Sequence, residues 1–572
     1  MPEAPPRVAW RESRRLTGPN LLLDGPGAVL EASCPVGRED ELIGHWRRQA
    51  RLILQAVGWP DAVLATRRFL GGASLAVAAP ADGLYPATLV NEWACEAAAA
   101  DLDAGPMPAL ESAAASIRRE IVADGDPALL ALADAARAHG VACVVGDRRV
   151  SVGLGRGSDR WFDDDLPAPD AVDWASIHDV PVILVTGTNG KSTTVRLLAA
   201  MARAAGKVVG LSSSDWVRVG DEILDRGDFS GPGGARLVLR DRRVELAVLE
   251  LARGGILRRG LPLARADAAI VTNVAADHLG EYGILDLDGV ADAKLVVAKA
   301  LHGGPLILNA DDPRLVERAA GSGAPVAWFT MAPAHGIRDG AALEQGWLVL
   351  RRDGSSTPIV PAAEVRIGMG GAARHNLANA LAAIAGAGTL RLPEAAMAEA
   401  LRRFGAEEAD NPGRGLLREI GGVRVLVDFA HNPHGVAAIA QWVSAAMPAG
   451  RRLVLLGQAG DRTDAEIRAL AAAVWAMRPE RIIVKEMESY LRGRGPGEVP
   501  ALLRDELGRL GAPVGTVAAA ESETDAVRDA FAWAQPGDLL VLLSHAARAR
   551  TLAFLDRLGE QQWQPGRPLP AS

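Results

Sequence analysis

Short apolar runs alternate with amphipathic stretches from about residue 180 to the end of the chain. The uncharged, β-branched run from Val182 to Val185 predicts a strand, and the Ala/Leu-rich pattern after Lys191 predicts a helix. This alternation of strands and helices predicts doubly wound α/β domains. In such sheets ligands collect at the carboxyl ends of parallel strands, so the residues that close each strand are the candidates for function.

Residues 1 to about 170 have a different pattern and predict a separate α+β module. Helical periodicity is visible at 45–57 and at 129–139, and a short acidic connection with prolines (161–180) leads to the first strand of the next part. A second junction is predicted at Asn411-Pro412-Gly413-Arg414-Gly415. We therefore expect three parts, at residues 1–170, 171–411 and 412–572.

Composition narrows the class of protein. The formal charge of −8 over 572 residues argues against a nucleic-acid surface. The longest uncharged window with helical character, 376–390, is shorter than the roughly 20 residues that span a bilayer, so no membrane segment is predicted. No apolar segment of the kind found in signal peptides follows the N-terminal arginines, which predicts a cytoplasmic protein. Cys34, Cys95 and Cys143 are far apart and predict idle thiols.

A tight turn separates the predicted strand from the predicted helix, with the sequence Gly187-Thr188-Asn189-Gly190-Lys191-Ser192-Thr193. Glycines let backbone N–H groups close on an anion, the start of a helix adds its unpaired N–H groups, and Lys191 supplies a positive charge. Ser192 or Thr193 can then hold Mg²⁺. The turn departs from the usual P-loop consensus because Val185 stands where a further glycine is expected.

Polar residues also close the neighbouring strands. Glu250 ends one apolar run, and Asn273, Asp277 and His278 follow the next. A carboxylate and an imidazole at the same sheet edge as Lys191 suit a second Mg²⁺. The alternatives are a strand-end salt bridge for Glu250 and a helix cap for His278.

The turn T-G-T-N-G-K-S-T-T resembles that of the Mur ligase superfamily. Residues 249–261, LELARGGILRRGL, and 271–280, VTNVAADHLG, resemble the Mur-like C-terminal half of cyanophycin synthetase almost phrase for phrase. The resemblance implies a P-loop central domain, a Rossmann-like C-terminal domain, and the use of ATP and Mg²⁺.

The resemblance also implies roles for individual residues. Glu250 and His278 would be metal ligands, and Lys294 would be a carbamylated lysine, with a solvated helix lysine as the alternative. Asn309 would contact adenine, although an Asx turn before proline is the alternative. From the last domain, Arg414 would touch phosphates, Asp428 the ribose hydroxyls, and His431 would lie near the phosphates. Asp461, Arg462 and Glu488 are weaker candidates for binding the incoming amine substrate.

The N-terminal signature R-x-L-x-G-P-N at 14–20 also resembles cyanophycin synthetase, but too little chain follows it for that enzyme's ATP-grasp domain. We therefore expect an ATP-dependent ligase that forms an acyl phosphate and couples it to an amine, and that cannot make cyanophycin alone. The partners expected are small-molecule carboxylates and amines, and similarity implies a homodimer or homotetramer. Two alternatives are a folate-polyglutamate-type ligase and a non-catalytic nucleotide-binding scaffold.

Overall fold

A computed structural model describes residues 8–146, 148–333, 336–447 and 450–570. The described residues form a five-stranded, a three-stranded, an eleven-stranded and a six-stranded sheet. The predicted α/β class, with a separate N-terminal sheet, is confirmed. None of the described helices is long and apolar enough to cross a membrane.

The N-terminal sheet is antiparallel and is covered by two helices, on which a third helix packs. The first helix presents Leu42, Trp46, Ile53 and Leu54 to the core, with the three- and four-residue spacing of one helix face. Its strands and helices are β1 (Ala9–Trp10), β2 (Arg14–Leu16), β3 (Gly27–Ser33), α1 (Glu39–Val57), β4 (Leu64–Phe69), β5 (Gly72–Ala78), α2 (Leu84–Leu102) and α3 (Leu110–Asp124).

A small antiparallel unit connects this module to the rest of the chain. Its helix begins with Pro127 in the first turn, and the Asp126 side chain caps it by accepting a hydrogen bond from Leu129 N at 2.9 Å. The elements are α4 (Pro127–Ala138), β6 (Cys143–Val145), β7 (Arg149–Val152) and β8 (Asp159–Phe162).

The central sheet has the order β12-β11-β10-β13-β9-β14-β15-β16-β17-β18-β19. In this order the strands from β10 to β17 are parallel, and antiparallel pairs add β11 and β12 at one edge and β18 and β19 at the other. The elements are β9 (Val182–Thr186), α5 (Lys191–Ala204), β10 (Val209–Ser212), β11 (Trp216–Val219), β12 (Glu222–Arg226), α6 (Pro232–Leu239), β13 (Leu246–Glu250), α7 (Arg253–Arg259), β14 (Ala268–Val271), α8 (Leu287–Leu295), β15 (Leu306–Asn309), α9 (Pro313–Ala319), β16 (Val326–Thr330), β17 (Gly340–Glu344), β18 (Trp347–Arg352), β19 (Ser355–Pro361), α10 (Arg374–Thr389) and α11 (Glu394–Arg403).

The C-terminal sheet has the order β20-β21-β25-β22-β23-β24 and is parallel except for β20. Its elements are β20 (Leu416–Ile420), β21 (Val423–Asp428), α12 (Pro433–Ala446), β22 (Arg452–Leu456), α13 (Asp464–Trp475), β23 (Arg481–Lys485), α14 (Glu498–Arg509), β24 (Val517–Ala520), α15 (Glu523–Trp533), β25 (Leu539–Leu543) and α16 (Arg548–Glu560).

The register of the central sheet sets the position of the candidate residues. Strand β9 lies between β13 and β14, and Val185 pairs with Glu250 while Thr186 pairs with Val271. The three strands therefore end at one level. This places the turn after β9, the carboxylate of Glu250 and the segment that follows β14 at one edge of the sheet.

The N-terminal module packs against the central domain next to α7. Thr17 N donates to Arg259 O at 2.7 Å, and Leu261 N donates to Pro19 O at 2.7 Å. The Arg67 side chain donates to Gly283 O at 2.8 Å. Because two of these contacts join backbone to backbone, β2 is held against the carboxyl end of α7.

Candidate functional site

A cleft of about 1430 Å³ lies where the three parts of the chain meet. The N-terminal module contributes β2 and the start of α2, the central domain contributes the turn after β9, and the C-terminal domain contributes the segments that follow β21, β22 and β25. Nine of the residues singled out in the sequence line this cleft: Gly187, Thr188, Lys191, Asp277, His278, Lys294, Arg414, His431 and Arg462.

The turn after β9 has the glycine-dependent shape expected for a phosphate loop. Gly187 has φ of +146° and Gly190 has φ of +83°, values that residues with a side chain rarely adopt. A Cβ atom on Gly190 would lie 2.1 Å from Asn379 Oδ1, so α10 closes tightly on the loop. The first N–H groups of α5 have no acceptor within the helix and are available to an anion.

Replacing Gly190 by alanine is expected to destabilise the protein and to weaken ADP binding by about tenfold or more, because a shifted loop no longer aims its N–H groups at the phosphates. The matched control is Gly206→Ala, since Gly206 has a similar φ of +79° but open space around its Cβ position. Thermal melting with and without ADP measures both effects. Equal melting temperatures and equal ADP shifts in the two variants would contradict the prediction.

Lys191 begins α5 and faces the cleft. Its Nζ donates to Thr188 O at 2.9 Å. Removal from water lowers the pKa of this ammonium, and the nearby carboxylates of Glu250 and Asp277 oppose that shift. Ser192 and Thr193, the next two residues, are buried at the start of the helix.

Asn189 links the loop to the C-terminal domain. Its amide and that of Asn432 form a reciprocal pair, in which each Nδ2 donates to the other Oδ1, at 3.1 and 3.0 Å. Asn432 caps α12. The turn after β9 and the first helix of the C-terminal domain are thus in direct contact.

Glu250 is fully buried at the end of β13. Ser214 donates to it twice, from Oγ at 2.7 Å and from the backbone N at 3.1 Å. Sequence reasoning missed Ser214, which follows the neighbouring parallel strand β10 and lines the cleft. The run Ser212-Ser213-Ser214-Asp215 directly after an apolar strand was the signal that could have found it.

His278 lies in the segment after β14, with φ of +56°. Its Nδ1 is 3.2 Å from Glu281 Oε1. The two terminal nitrogens of Arg462, from the C-terminal domain, lie 2.9 and 2.8 Å from Nδ1 and Nε2 of His278. Arg462, predicted as a substrate residue, therefore contacts the predicted metal ligand.

Asp277 forms a second link between the two domains. Its carboxylate is 3.4 Å from His431 Nε2 and 3.1 Å from Arg462. Burial would raise the pKa of Asp277, but the charges of His431 and Arg462 outweigh it and hold this pKa well below its usual value.

The donor chemistry of this edge fits a divalent ion. Glu250 offers a carboxylate, Ser192 a hydroxyl and His278 an imidazole, and these residues lie in the loop or after neighbouring strands. Oxygen donors suit Mg²⁺. Within the described ranges, the cluster of three metal-capable side chains is His278, Glu281 and Asp461, with ligand atoms within 4.8 Å of one another. Glu250 is outside that cluster, so metal binding by Glu250 and His278 stays a prediction.

Lys294 is buried on α8 and lines the cleft. Among the described residues no hydrogen bond or ion pair reaches its ammonium. Burial, together with the positive charges of Lys191 and Arg253, lowers its pKa well below the usual value. A lysine in this setting is more readily neutral, and therefore nucleophilic, than one in water.

The residues predicted to hold the nucleotide from the C-terminal side divide into two groups. Arg414 and His431 line the cleft, and the Arg414 guanidinium lies over the Phe429 ring at 4.9 Å. Asp428 instead accepts two backbone hydrogen bonds, from Gly415 N and Ala430 N, both at 2.7 Å. Burial raises the pKa of Asp428.

Asn309 is not among the residues that line the cleft. Its Nδ2 donates to Thr272 O at 3.0 Å, and its Oδ1 accepts from Asp311 N at 2.9 Å. The second contact is the Asx turn that was the alternative to adenine binding.

Of the three weaker substrate candidates, Arg462 lines the cleft, whereas Asp461 and Glu488 are outside its lining. Asp461 is bound by Arg462 and Arg492. Glu488 is exposed.

The structure adds cleft residues that the sequence did not suggest. His545 and Arg548 come from the segment after β25. Glu523, which is paired with the buried Lys485, accepts the backbone N–H groups of residues 545, 546 and 547 and holds this segment in place. The sequence Ser544-His545 directly after an apolar strand was the available signal.

Asp215 joins the central and C-terminal domains. Its side chain is only 5% exposed and forms ion pairs with Arg196 of α5, Arg414 of the junction and Arg548 of α16. Arg196 also donates to Asn411 Oδ1 at 3.0 Å. One carboxylate thus holds together three cations that are far apart in the sequence.

Two family profiles match most of the central and C-terminal domains. The profile "Mur ligase middle domain" matches residues 185–387, and "Mur ligase, glutamate ligase domain" matches residues 414–545. Cyanophycin synthetase of Crocosphaera subtropica is 41% identical over 335 residues, which are 57% of this chain and 38% of that protein. Cyanophycin synthetase of Trichormus variabilis is 37% identical over 402 residues, 68% of this chain and 44% of that protein. The chain thus spans less than half the length of these relatives.

Among solved structures, E. coli FolC in complex with DHPP and ADP is similar over 66% of this chain and 89% of that chain, with 22% identity and a TM-score of 0.48.

Proposed function

Because the chain belongs to the Mur ligase family, we propose that it is an ATP-dependent ligase that activates a substrate carboxylate as an acyl phosphate and couples it to an amine. The observation that carries the proposal is the convergence of Lys191, Lys294, Arg414 and His431 on one cleft beside the buried Glu250. The cyanophycin synthetase relatives favour an amino acid as the amine.

The reaction has two steps. An oxygen of the substrate carboxylate forms a bond to the γ-phosphorus of ATP, and ADP leaves. The nitrogen of a neutral amine then attacks the acyl carbon, phosphate leaves, and the nitrogen loses a proton. ATP supplies the phosphoryl group, and a divalent ion neutralises its charge.

The residues of the chain provide the electrostatics. Lys191 and the N–H groups of α5 would face the phosphates, since they close the turn after β9. Glu250 and His278, and Ser192 from the loop, would hold the divalent ions. Arg414, brought from the domain junction, would add positive charge at the phosphates when the C-terminal domain closes.

Domain closure would protect the acyl phosphate from water. Three contacts between the central and C-terminal domains border the cleft: the Asn189–Asn432 amide pair, the Asp277–Arg462 ion pair and the Asp215 ion pairs. Opening of contacts of this kind would admit substrates, so their strength would govern the exchange of substrate and product.

Amine-dependent release of ADP tests the proposal. The purified chain is incubated with ATP, Mg²⁺ and a panel of carboxylic acids and amines, and ADP is measured with and without each amine. We expect release that needs both an acid and an amine, and no polymer from free aspartate and arginine. A folate-type ligase would respond to glutamate with a folate acid, whereas a scaffold would release no ADP with any pair.

Lys294 gives a further prediction. We propose that it is carbamylated, because a neutral buried amine reacts with carbon dioxide and the resulting carbamate would be an anion beside a divalent ion. Removal of carbon dioxide is expected to lower activity, and bicarbonate to restore it. Lys294→Ala should lose about 10²-fold and gain nothing from bicarbonate.

The matched control is Lys299→Ala, since Lys299 follows on the next turn and pairs with Asp24 at 2.9 Å outside the cleft. It should keep both activity and the bicarbonate response. ¹³C NMR with labelled bicarbonate detects the carbamate directly. A wild-type enzyme that is insensitive to bicarbonate and shows no carbamate signal would refute the modification.

A further inference from the structure

The segment from His278 to Gly283 has an unusual backbone. His278 and Tyr282 have φ of +56° and +54°, and Gly280 and Gly283 have φ of +92° and +67°. Residues with a side chain rarely adopt this left-handed conformation, and where they do, the surrounding structure must hold them in it. Contacts from outside the segment are therefore needed to keep its shape.

One side of the segment faces the cleft. His278, Glu281 and Tyr282 are among the residues that line it. One carboxylate oxygen of Glu281 accepts from Arg253 at 2.7 Å, and the other lies 3.2 Å from His278 Nδ1. These contacts link the predicted metal ligand to the start of α7. The position of His278 thus depends on the shape of the segment that carries it.

The N-terminal module holds the other side of the segment. Arg67 of β4 donates from one terminal nitrogen, Nη2, to Tyr282 O at 3.2 Å and to Gly283 O at 2.8 Å. The guanidinium of Arg14, on β2, lies over the Tyr282 ring at 4.6 Å, and Arg14 is itself bound by Glu31 of β3 at 2.9 Å. Two arginines of the N-terminal sheet therefore bind Tyr282, one through its carbonyl and one through its ring.

Phe69, at the end of β4, adds an apolar contact next to these polar ones. A Cβ atom on Gly283 would lie 2.5 Å from the Phe69 ring. The ring can pack this closely only because glycine has no side chain, and glycine also adopts the φ of +67° without strain. Arg67 and Phe69, from one strand of the N-terminal module, thus contact two consecutive residues of the segment.

Resting on the proposed function, in which His278 holds a divalent ion, we propose that the N-terminal module positions that ligand. Arg67 and Phe69 hold residues 278–283 in their left-handed conformation, and the segment in turn presents His278 and Glu281 to the cleft. Arg67 is a positioning residue, since it does not itself line the cleft. The module is then needed for ion binding whichever acid is the substrate, including one that never contacts it.

Hydrogen–deuterium exchange of the full chain, followed by mass spectrometry, tests the first step without turnover and without a bound ion. The variant is Arg67→Met, which keeps a long apolar side chain and removes the donors to the two carbonyls. The matched control is Arg68→Met. Arg68 is the next residue of β4, so its side chain leaves the opposite face of the strand, and it pairs with Glu39 and Asp40 of α1.

We expect peptides that cover 278–284 to exchange about tenfold faster in Arg67→Met, because opening this segment no longer breaks two hydrogen bonds. Arg68→Met should exchange there at the wild-type rate. Phe69→Leu, which removes the ring from Gly283 and keeps the guanidinium, should change exchange in the same direction as Arg67→Met. It replaces Arg67→Met as the test if thermal melting shows that Arg67→Met does not fold.

Binding of Mn²⁺ in the presence of ADP tests the second step. Electron paramagnetic resonance measures the free ion, and we expect the affinity to fall about tenfold in Arg67→Met, the usual effect of removing a group that orients a metal ligand. Arg68→Met should bind Mn²⁺ as the wild type does. Circular dichroism verifies that each variant is folded.

Three results would overturn the proposal. The first is wild-type exchange at 278–284 in both Arg67→Met and Phe69→Leu. The second is faster exchange there with no loss of Mn²⁺ affinity, since the segment would then not position the ligand. The third is an equal effect of Arg68→Met and Arg67→Met, which would mean a general loosening of the N-terminal module.

The two proposals fail in different ways. If Mn²⁺ binds with ADP in a manner that depends on Arg67 but no acid and amine pair releases ADP, the ligase function is wrong and the positioning role stands. If the wild type releases ADP with an acid and an amine, but Arg67→Met keeps both the wild-type kcat and the wild-type Mn²⁺ affinity, the ligase function stands and the positioning role is wrong.

Discussion

Replacement of Lys191 by alanine is expected to lower the rate of amine-dependent ADP release by about 10² to 10³-fold, the usual cost of removing one preorganised charge from a developing anion. The reason is local. Lys191 closes the turn after β9, its ammonium is held by Thr188 O, and it lies in the cleft beside Glu250 and Asp277. Without it, the phosphates would face two carboxylates with less positive charge to offset them.

The control is Lys207→Ala, since Lys207 is an exposed lysine just beyond the other end of α5. Steady-state ADP release compares the two variants with the wild type, and thermal melting shows whether each is folded. Lys207→Ala should retain full activity. Wild-type activity in a folded Lys191→Ala protein would exclude the proposed role of the loop.

Replacement of Asp215 by asparagine is expected to lower the free energy of unfolding by about 3–5 kcal/mol, the usual cost of breaking a buried ion pair on one side. The change leaves the buried Arg196 guanidinium without its carboxylate and brings the charges of Arg414 and Arg548 together unscreened. Burial would raise the pKa of Asp215, but the three arginines outweigh it and keep that pKa below its ordinary value.

Asp221→Asn is the matched control for this change. Asp221 lies in the same strand–turn region, is 99% exposed and pairs with Arg218 at 3.2 Å, so its loss should cost less than about 1 kcal/mol. Urea unfolding, followed by intrinsic fluorescence, measures the free energy of unfolding of both variants. A difference of less than 1 kcal/mol between the two variants would show that Asp215 does not hold the domains together.

Much of the candidate site could be predicted because its signals are local. The strand, the glycine turn and the helix of residues 182–204 are encoded in one continuous segment, and the observed β9 and α5 follow that pattern. Glu250 and His278 could be singled out because each follows an apolar strand, and parallel strands of one sheet end on the same side. The burial of these side chains and the partners that they bind could not be predicted in the same way. Asn309 and Asp428 occupy similar strand ends, yet their side chains bind the backbone.

The sequence by itself determined the α/β fold, the glycine turn between β9 and α5, the charged residues at the strand ends and the family, because each depends on a short segment or on a match to known sequences. The tertiary structure alone decided which groups meet across the domains: Arg414 and Arg548 on Asp215, Arg462 on His278, and the arginines of β2 and α7 in one cleft. The physical reason is that these partners are separated by tens to hundreds of residues. Their contacts follow from how three folded units pack, and the local pattern of apolar and polar residues does not specify that packing.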